Sequence, residues 1–368
     1  MNTQIIFAGL KARPVRTTVS ILAVTLEVVL ILVIVGLATG ISNETGKRTE
    51  GVGADILLQP PNSSLILALS SSTMPVAIGD RIRQLDGVKA VTPVQTLANS
   101  SAGLEIIYGI EPESFVAMGE GFIWHKGRLF NGPDEVVVDD IYASAKRVTV
   151  GDTVELVGHM FRVSGIVEHG KGARLFISLK MAQDMTGQEG KASLFYIKLN
   201  DPEQVQAVSD RIRQLPGMAD YKVTPMKKYA ELFMSNNMPA LNAFISSVVF
   251  VAVAIGVLVI FLSMYTTITE RTREIGILRS LGASKASIVG LIFQESTVIC
   301  VIGVVLGVFA SFFVARGVQV IYPTLIVFIT PGWIARASGF AVFSGIVGSL
   351  YPSLKAAAQD PVEALAYE

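Results

Sequence analysis

Apolar residues gather along this chain into four runs, at 17–40, 241–268, 288–315 and 331–351. Each reaches or exceeds the roughly 20 residues that a helix needs to cross a bilayer. Between the first and second runs the pattern changes. Residues 41–240 carry short strand-like stretches at 54–58, 135–139, 153–157, 161–167, 174–177 and 194–199. These are punctuated by Gly51, Gly53, Pro60, Pro61, Gly87, Pro93, Gly132, Pro133 and Gly151, as expected of turns between strands. The pattern predicts four transmembrane helices with an α+β domain inserted between the first and second spans.

The polar stretch between the second and third runs, 269–287, has its own periodicity. Ile275, Leu278 and Leu281 recur at helical spacing with Ile277 beside them, while Arg271, Arg273, Arg279 and Lys285 stand against Glu270 and Glu274. Gly282 reads as a C′ stop and Ser284 as the cap of the following helix. This is a short amphipathic helix at the membrane surface, and its apolar residues need lipid, the chain itself or another protein.

Orientation follows from basic residues near the spans. Lys11, Arg13, Arg16, Arg271, Arg273, Arg279, Lys285 and Lys355 outnumber Lys47, Arg48, Arg316 and Arg336. The positive-inside rule puts the first group in the cytosol with both termini. Residues 1–16 then read as an amphipathic cytosolic helix and 17–40 as a retained anchor, longer than the apolar core of a signal peptide. The inserted domain is extracytoplasmic, 316–330 is a short outer loop opening at Trp333 into the last span, and 352–368 is a cytosolic tail.

The inserted domain contains a repeat. Asp80-Arg-Ile-Arg-Gln-Leu-Asp-Gly87 recurs as Asp210-Arg-Ile-Arg-Gln-Leu-Pro-Gly217, and Val-Thr-Pro follows both, at 91–93 and 223–225. Each copy reads as a helix ending at Gly, then a strand. Two related α/β halves, about 41–103 and 201–240, flank a β-rich insertion of about 104–200. The stretch 64–72 is apolar but too short to span.

Composition narrows the function. The chain has 368 residues, 51% hydrophobic and 16% charged, with formal net charge zero, so nothing points to nucleic acid. One cysteine, Cys300, excludes an intrachain disulfide. The stretch Gly165-Ile-Val-Glu-His-Gly-Lys-Gly172 matches P-loop spacing only as far as Lys171; Gly172 replaces the magnesium-binding hydroxyl, and a strand end with a Gly-rich turn is the better reading. His125, His159 and His169 lack metal-ligand spacing, and no nucleophile constellation is present. No catalytic or metal residues are assigned, and any ATP chemistry belongs to another chain. Three polar residues inside apolar runs stand out: Glu27, Gln294 and Glu295. An intramembrane acid is costly and is a functional candidate by default. For Glu27, a hydrogen bond inside the helix bundle and a role in transport or gating both remain open.

The stretch Glu270-Arg-Thr-Arg-Glu-Ile-Gly-Ile-Leu-Arg-Ser-Leu-Gly-Ala-Ser284, the Gln294-Glu295 pair with the Gly-spaced helix after it, and Asp360-Pro-Val-Glu-Ala-Leu365 resemble the MacB/FtsX/LolC class of ABC transporter permeases. Weaker matches are Glu135-Val-Val-Val138, Val150-Gly-Asp152 and Phe161-Arg-Val-Ser-Gly-Ile166. The resemblance implies a dimer with a second or homologous permease in the bacterial inner membrane, served by two cytosolic ATPase subunits that hold ATP and magnesium. It implies that 269–287 is a coupling helix seated in an ATPase groove, with Arg271, Glu274, Ile275, Leu278 and Leu281 as coupling residues. It also implies mechanical transmission to the outer domain and the option of a periplasmic adaptor or outer-membrane channel. The implied task is export or extraction of a lipoprotein, lipid, peptide or hydrophobic compound. The alternative is FtsX-like signal transmission to an extracytoplasmic partner such as a cell-wall hydrolase. Ile275→Asp is expected to weaken assembly with the ATPase while sparing membrane insertion.

Overall fold

The computed structural model describes residues 14–63, 72–99, 105–119, 121–232 and 239–359. Residues 1–13 of the expected helix at 1–16, 64–71 of the apolar stretch at 64–72 and 360–368 of the tail at 352–368 lie outside the described residues. The chain divides into a helical unit (Met1–Gly40, Pro239–Ile321, Val327–Glu368) and a sheet unit (Ile41–Met238, Tyr322–Ile326).

Helix α1 (Pro14–Gly51) opens the chain. It continues eleven residues past the expected end of the first span, because nothing in 41–51 stops it. Glu44 and Arg48 pair at i,i+4, and Thr45 and Thr49 donate to the carbonyls of Ile41 and Thr45.

The sheet unit then takes the chain in order: β1 (Ile56–Gln59), β2 (Met74–Pro75), α2 (Ala77–Arg83), β3 (Val88–Asn99), β4 (Glu105–Ile110), α3 (Pro112–Val116), β5 (Trp124–Gly127), β6 (Glu135–Asp139) and α4 (Asp140–Lys146). It continues with β7 (Thr153–Leu156), β8 (His159–Val167), β9 (Leu175–Ser178), α5 (Leu179–Thr186), β10 (Lys191–Ala192), β11 (Leu194–Leu199), α6 (Val205–Gln214), β12 (Lys222–Pro225) and α7 (Met226–Leu232). Among the described residues the main sheet runs β12-β1-β11-β3-β4-β9-β6-β8-β5, with β7 on β8. Among the described residues only β4/β9 and β6/β8 are parallel.

The repeat is structural. β1-α2-β3 and β11-α6-β12 form two β-α-β halves that interleave as β12-β1-β11-β3, a split β-α-β-β-α-β arrangement. The two copies bond alike. Arg83 donates to the Val91 carbonyl at 3.2 Å and Arg213 to the Val223 carbonyl at 2.8 Å, and each arginine also holds the aspartate three residues earlier, Asp80 or Asp210. Ile82 and Ile212 are both fully buried in one core with Ile56, Val91, Ile197 and Val223. Gly87 and Gly217 leave the helices at φ +89° and +81°, where a Cβ would be strained.

One boundary moves. The sequence pattern placed 194–199 inside the insertion, yet β11 lies between β1 and β3 at the centre of the repeat. Neighbours on both edges and cores on both faces explain its near-continuous burial (Leu194, Phe195, Tyr196, Ile197, Leu199), which hides any alternation that would mark its membership. The insertion is therefore the β4–β10 region: β4–β9 extend the same sheet, while β10 pairs with β2 in a separate two-stranded sheet.

The helical unit adds α8 (Pro239–Glu270), α9 (Thr272–Ser280), α10 (Lys285–Ile321) and α11 (Pro331–Ala358) to α1. α1, α8, α10 and α11 are long and apolar enough to cross a membrane. Thr330 caps α11 by accepting from the Trp333 amide. α11 runs through Pro352, past the expected end of the span at 351.

Small residues set the packing. A Cβ on Gly303 would lie 2.6 Å from Val24 Cβ, and one on Gly307 2.7 Å from Val28 Cβ, so the Gly-xxx-Gly face of α10 receives α1 of the same chain. Gly345 lies against Cys300, and Gly348 against the Val257 carbonyl.

Candidate functional site

α9 is built as its sequence suggests. Arg271 breaks the run from α8, and the helix ends where Gly282 donates to Arg279 and Ala283 to Leu278, with Gly282 at φ +97°. The Ser284 hydroxyl accepts from the Ser287 amide and starts α10.

The predicted residues divide between its two faces. Ile275 is 8% exposed and packs in the core of the helical unit with Ile268, Ile288 and Ile292. Ile277, Leu278 and Leu281 are 44, 40 and 80% exposed and form an apolar stripe with no cover from the described chain. The Ile275→Asp substitution would therefore act on the fold of the helical unit and does not isolate an external contact.

Charges fix the helix from behind. Arg271 reaches Glu295 at 3.3 Å and Glu274 at 3.4 Å. Glu295 is 5% exposed, so this cation is its compensation within the bundle. Gln294, beside it, is exposed. Two anchors were missed by the sequence pattern. Arg16 of α1 donates to Glu270 at 3.0 Å, and Arg279 donates to the carbonyl of Gln359 just beyond α11. Both join residues far apart in sequence, and only the folded bundle brings them together.

Glu27 is 5% exposed at the meeting of α1, α8 and α11. Ser344 donates to its Oε1 at 2.8 Å, and its Oε2 has no hydrogen-bond partner among the described residues. A Cβ on Gly256 would lie 2.0 Å from that Oε2, so glycine makes room for the carboxyl. Gln294, Glu27 and Glu295 thus have different environments: outward, bundle-centred, and tied to α9.

In the sheet unit, Asp139 caps α4 through the Tyr142 amide at 2.6 Å. It is fully buried, and burial pushes its carboxyl up from 3.8 to about 6, against the opposing Tyr142 hydrogen bond and the nearby Arg174. Arg174 donates to the Thr324 carbonyl at 3.3 Å. His159 meets Asp134 at 2.7 Å and His169 meets Asp140 at 3.0 Å, both in exposed pairs. Among the described residues no group of three or more His, Cys, Asp or Glu is placed to hold a metal ion.

Comparison with known proteins matches residues 17–215 to the MacB-like periplasmic core domain and 246–361 to the FtsX-like permease C-terminal domain. An uncharacterized ABC transporter permease of Methanocaldococcus jannaschii is 21% identical, covering 98% of this chain and 96% of that protein. The uncharacterized ABC transporter permease YknZ of Bacillus subtilis is 22% identical over 100% of this chain and 99% of its own. The macrolide export ATP-binding/permease protein MacB of Escherichia coli is 22% identical over 100% of this chain, which spans 60% of that longer protein. With one family model covering more than half of its length and a second covering most of its remaining helices, the chain belongs to the MacB-like family of ABC transporter permeases.

Proposed function

We propose that this chain is the permease subunit of an ABC transporter whose ATPase is a separate chain. It passes the motion of ATP hydrolysis to its extracytoplasmic domain and so exports or extracts a lipoprotein, lipid, peptide or hydrophobic compound. The observation that carries this reading is the uncovered stripe Ile277, Leu278 and Leu281 on a helix anchored from behind by Arg271–Glu295. An apolar face on a braced element suits a partner that pushes on it, because displacement of α9 reaches α10 through Arg271–Glu295, and the end of α8 just before it is tied to α1 through Arg16–Glu270. The ATPase, present in two copies with its own ATP and magnesium, occupies the cytosolic side, and a second permease completes the assembly.

The test replaces Leu278 and Leu281 together by aspartate, leaving the buried Ile275 untouched. Co-purification with the ATPase should fall at least about tenfold, which is about 1.4 kcal/mol, with unchanged membrane insertion. Normal co-purification would overturn the assignment. A purely signalling role of the FtsX-like kind predicts ATP-driven movement of the outer domain with no compound leaving the membrane, and a vesicle extraction assay separates it from transport.

A further inference from the structure

A groove of about 690 Å³ runs between α8 and α11. Phe250 and Phe343 form its walls and are 73 and 55% exposed; Trp333 and Arg336 close one end. Arg336 alone among the lining residues is charged. Its guanidinium lies 4.9 Å from the centre of the Trp333 ring. Neither helix carries an acid in its first turn, and Arg336 makes no ion pair among the described residues.

An unpaired cation on a membrane-crossing helix calls for an anion. The groove beside it has the proportions of a chain of methylenes. Trp333 to Phe343 covers ten residues of helix, about 15 Å, or half of the roughly 30 Å hydrocarbon core. Trp333 suits the interface where such a leaflet begins. At the floor, a Cβ on Gly339 would meet nothing within 4 Å, so the space there is open.

The geometry points to a binding site for an anionic phospholipid, with one acyl chain along the α8–α11 groove and its phosphate on Arg336. The lipid comes from the leaflet on the side where α8 and α11 begin. Charge complementarity selects it over a zwitterionic lipid, since the groove offers one cation and no acid.

The chain has two tryptophans, Trp124 in the sheet unit and Trp333 in the groove. The full-length Trp124→Phe variant, reconstituted in phosphatidylcholine bilayers, therefore reports on Trp333 alone. Brominated phosphatidylglycerol should quench its fluorescence with about fivefold higher apparent affinity than brominated phosphatidylcholine, as expected for about 1 kcal/mol from one basic residue at the surface. Arg336→Gln should abolish the preference, and Arg336→Lys should keep most of it. Gly339→Leu, which fills open space without a clash, should reduce quenching by both lipids while the size-exclusion profile stays unchanged. Equal quenching by the two lipids in the parent, or an undiminished preference in Arg336→Gln, would overturn the proposal. Quenching by neither would mean that protein, such as a second copy of the chain, covers the groove, and would overturn it equally.

Discussion

At the scale of single residues, Asp139 shows how a buried carboxyl serves two demands. It caps α4, yet it sits fully buried, and burial raises its pKa from 3.8 to about 6. The folded chain therefore binds a proton more readily than the unfolded chain between those values. The stability linked to this group is fully present below about 3.8 and is lost as pH rises through about 6. The rise corresponds to about 3 kcal/mol. Asp139→Asn keeps an acceptor for the Tyr142 amide and removes the titration. Urea unfolding of the sheet domain at pH 4, 5.5 and 7 should show parent stability declining relative to the variant by up to that amount. Identical pH slopes would show that Asp139 titrates as an ordinary exposed carboxylate.

At the scale of elements, α9 shows what the sequence carries and what it leaves out. Its stop and the cap of the following helix were legible, because Gly282 and Ser284 act on neighbours within five residues. The face of each apolar residue was not. Ile275 and Leu278 share the same spacing pattern, and only the position of α10 decides that Ile275 turns inward and Leu278 outward. The four spans were legible from run length, whereas Ser344 as the partner of Glu27 was not, since 317 residues separate them. Gly303 and Gly307 on α10 stand at the small-xxx-small spacing that permits close helix packing, and the structure names their partner. Gly303→Leu or Gly307→Leu would drive a side chain into Val24 or Val28 of α1. Each should cost about 1–3 kcal/mol or more through overpacking. Thermal unfolding in detergent should show a lowered midpoint, while Gly290→Leu on the same helix, where a Cβ meets nothing within 4 Å, should leave it nearly unchanged.

At the scale of the whole molecule, the extracytoplasmic domain is closed by the two ends of its own sequence. β1 follows α1 directly, β12 arrives more than 160 residues later, and the two pair along Ile56–Gln59. The repeat in the sequence announced two halves, but their interleaving is a property of the sheet, since β11 stands next to β1 rather than next to the strand of its own half. Neither half can complete its core alone. Val208, Ile212, Met218 and Val223, all from the last segment, are at most 5% exposed and pack against residues of the first half such as Ile56, Ile82 and Val91. Each buried side chain of this kind is worth about 1.5–3 kcal/mol, so losing four removes roughly 6–12 kcal/mol. That matches the 5–15 kcal/mol that keeps a typical domain folded. A segment of residues 41–232 should accordingly unfold in one cooperative transition in urea, followed by circular dichroism. A segment of 41–199, which keeps β11 but lacks α6 and β12, should show no cooperative transition, with β1 left as an open edge. A cooperative transition in the shorter segment would mean that the β3–β11 region folds without the closing strand, and that the two ends of the domain are free to separate during the movement proposed for it.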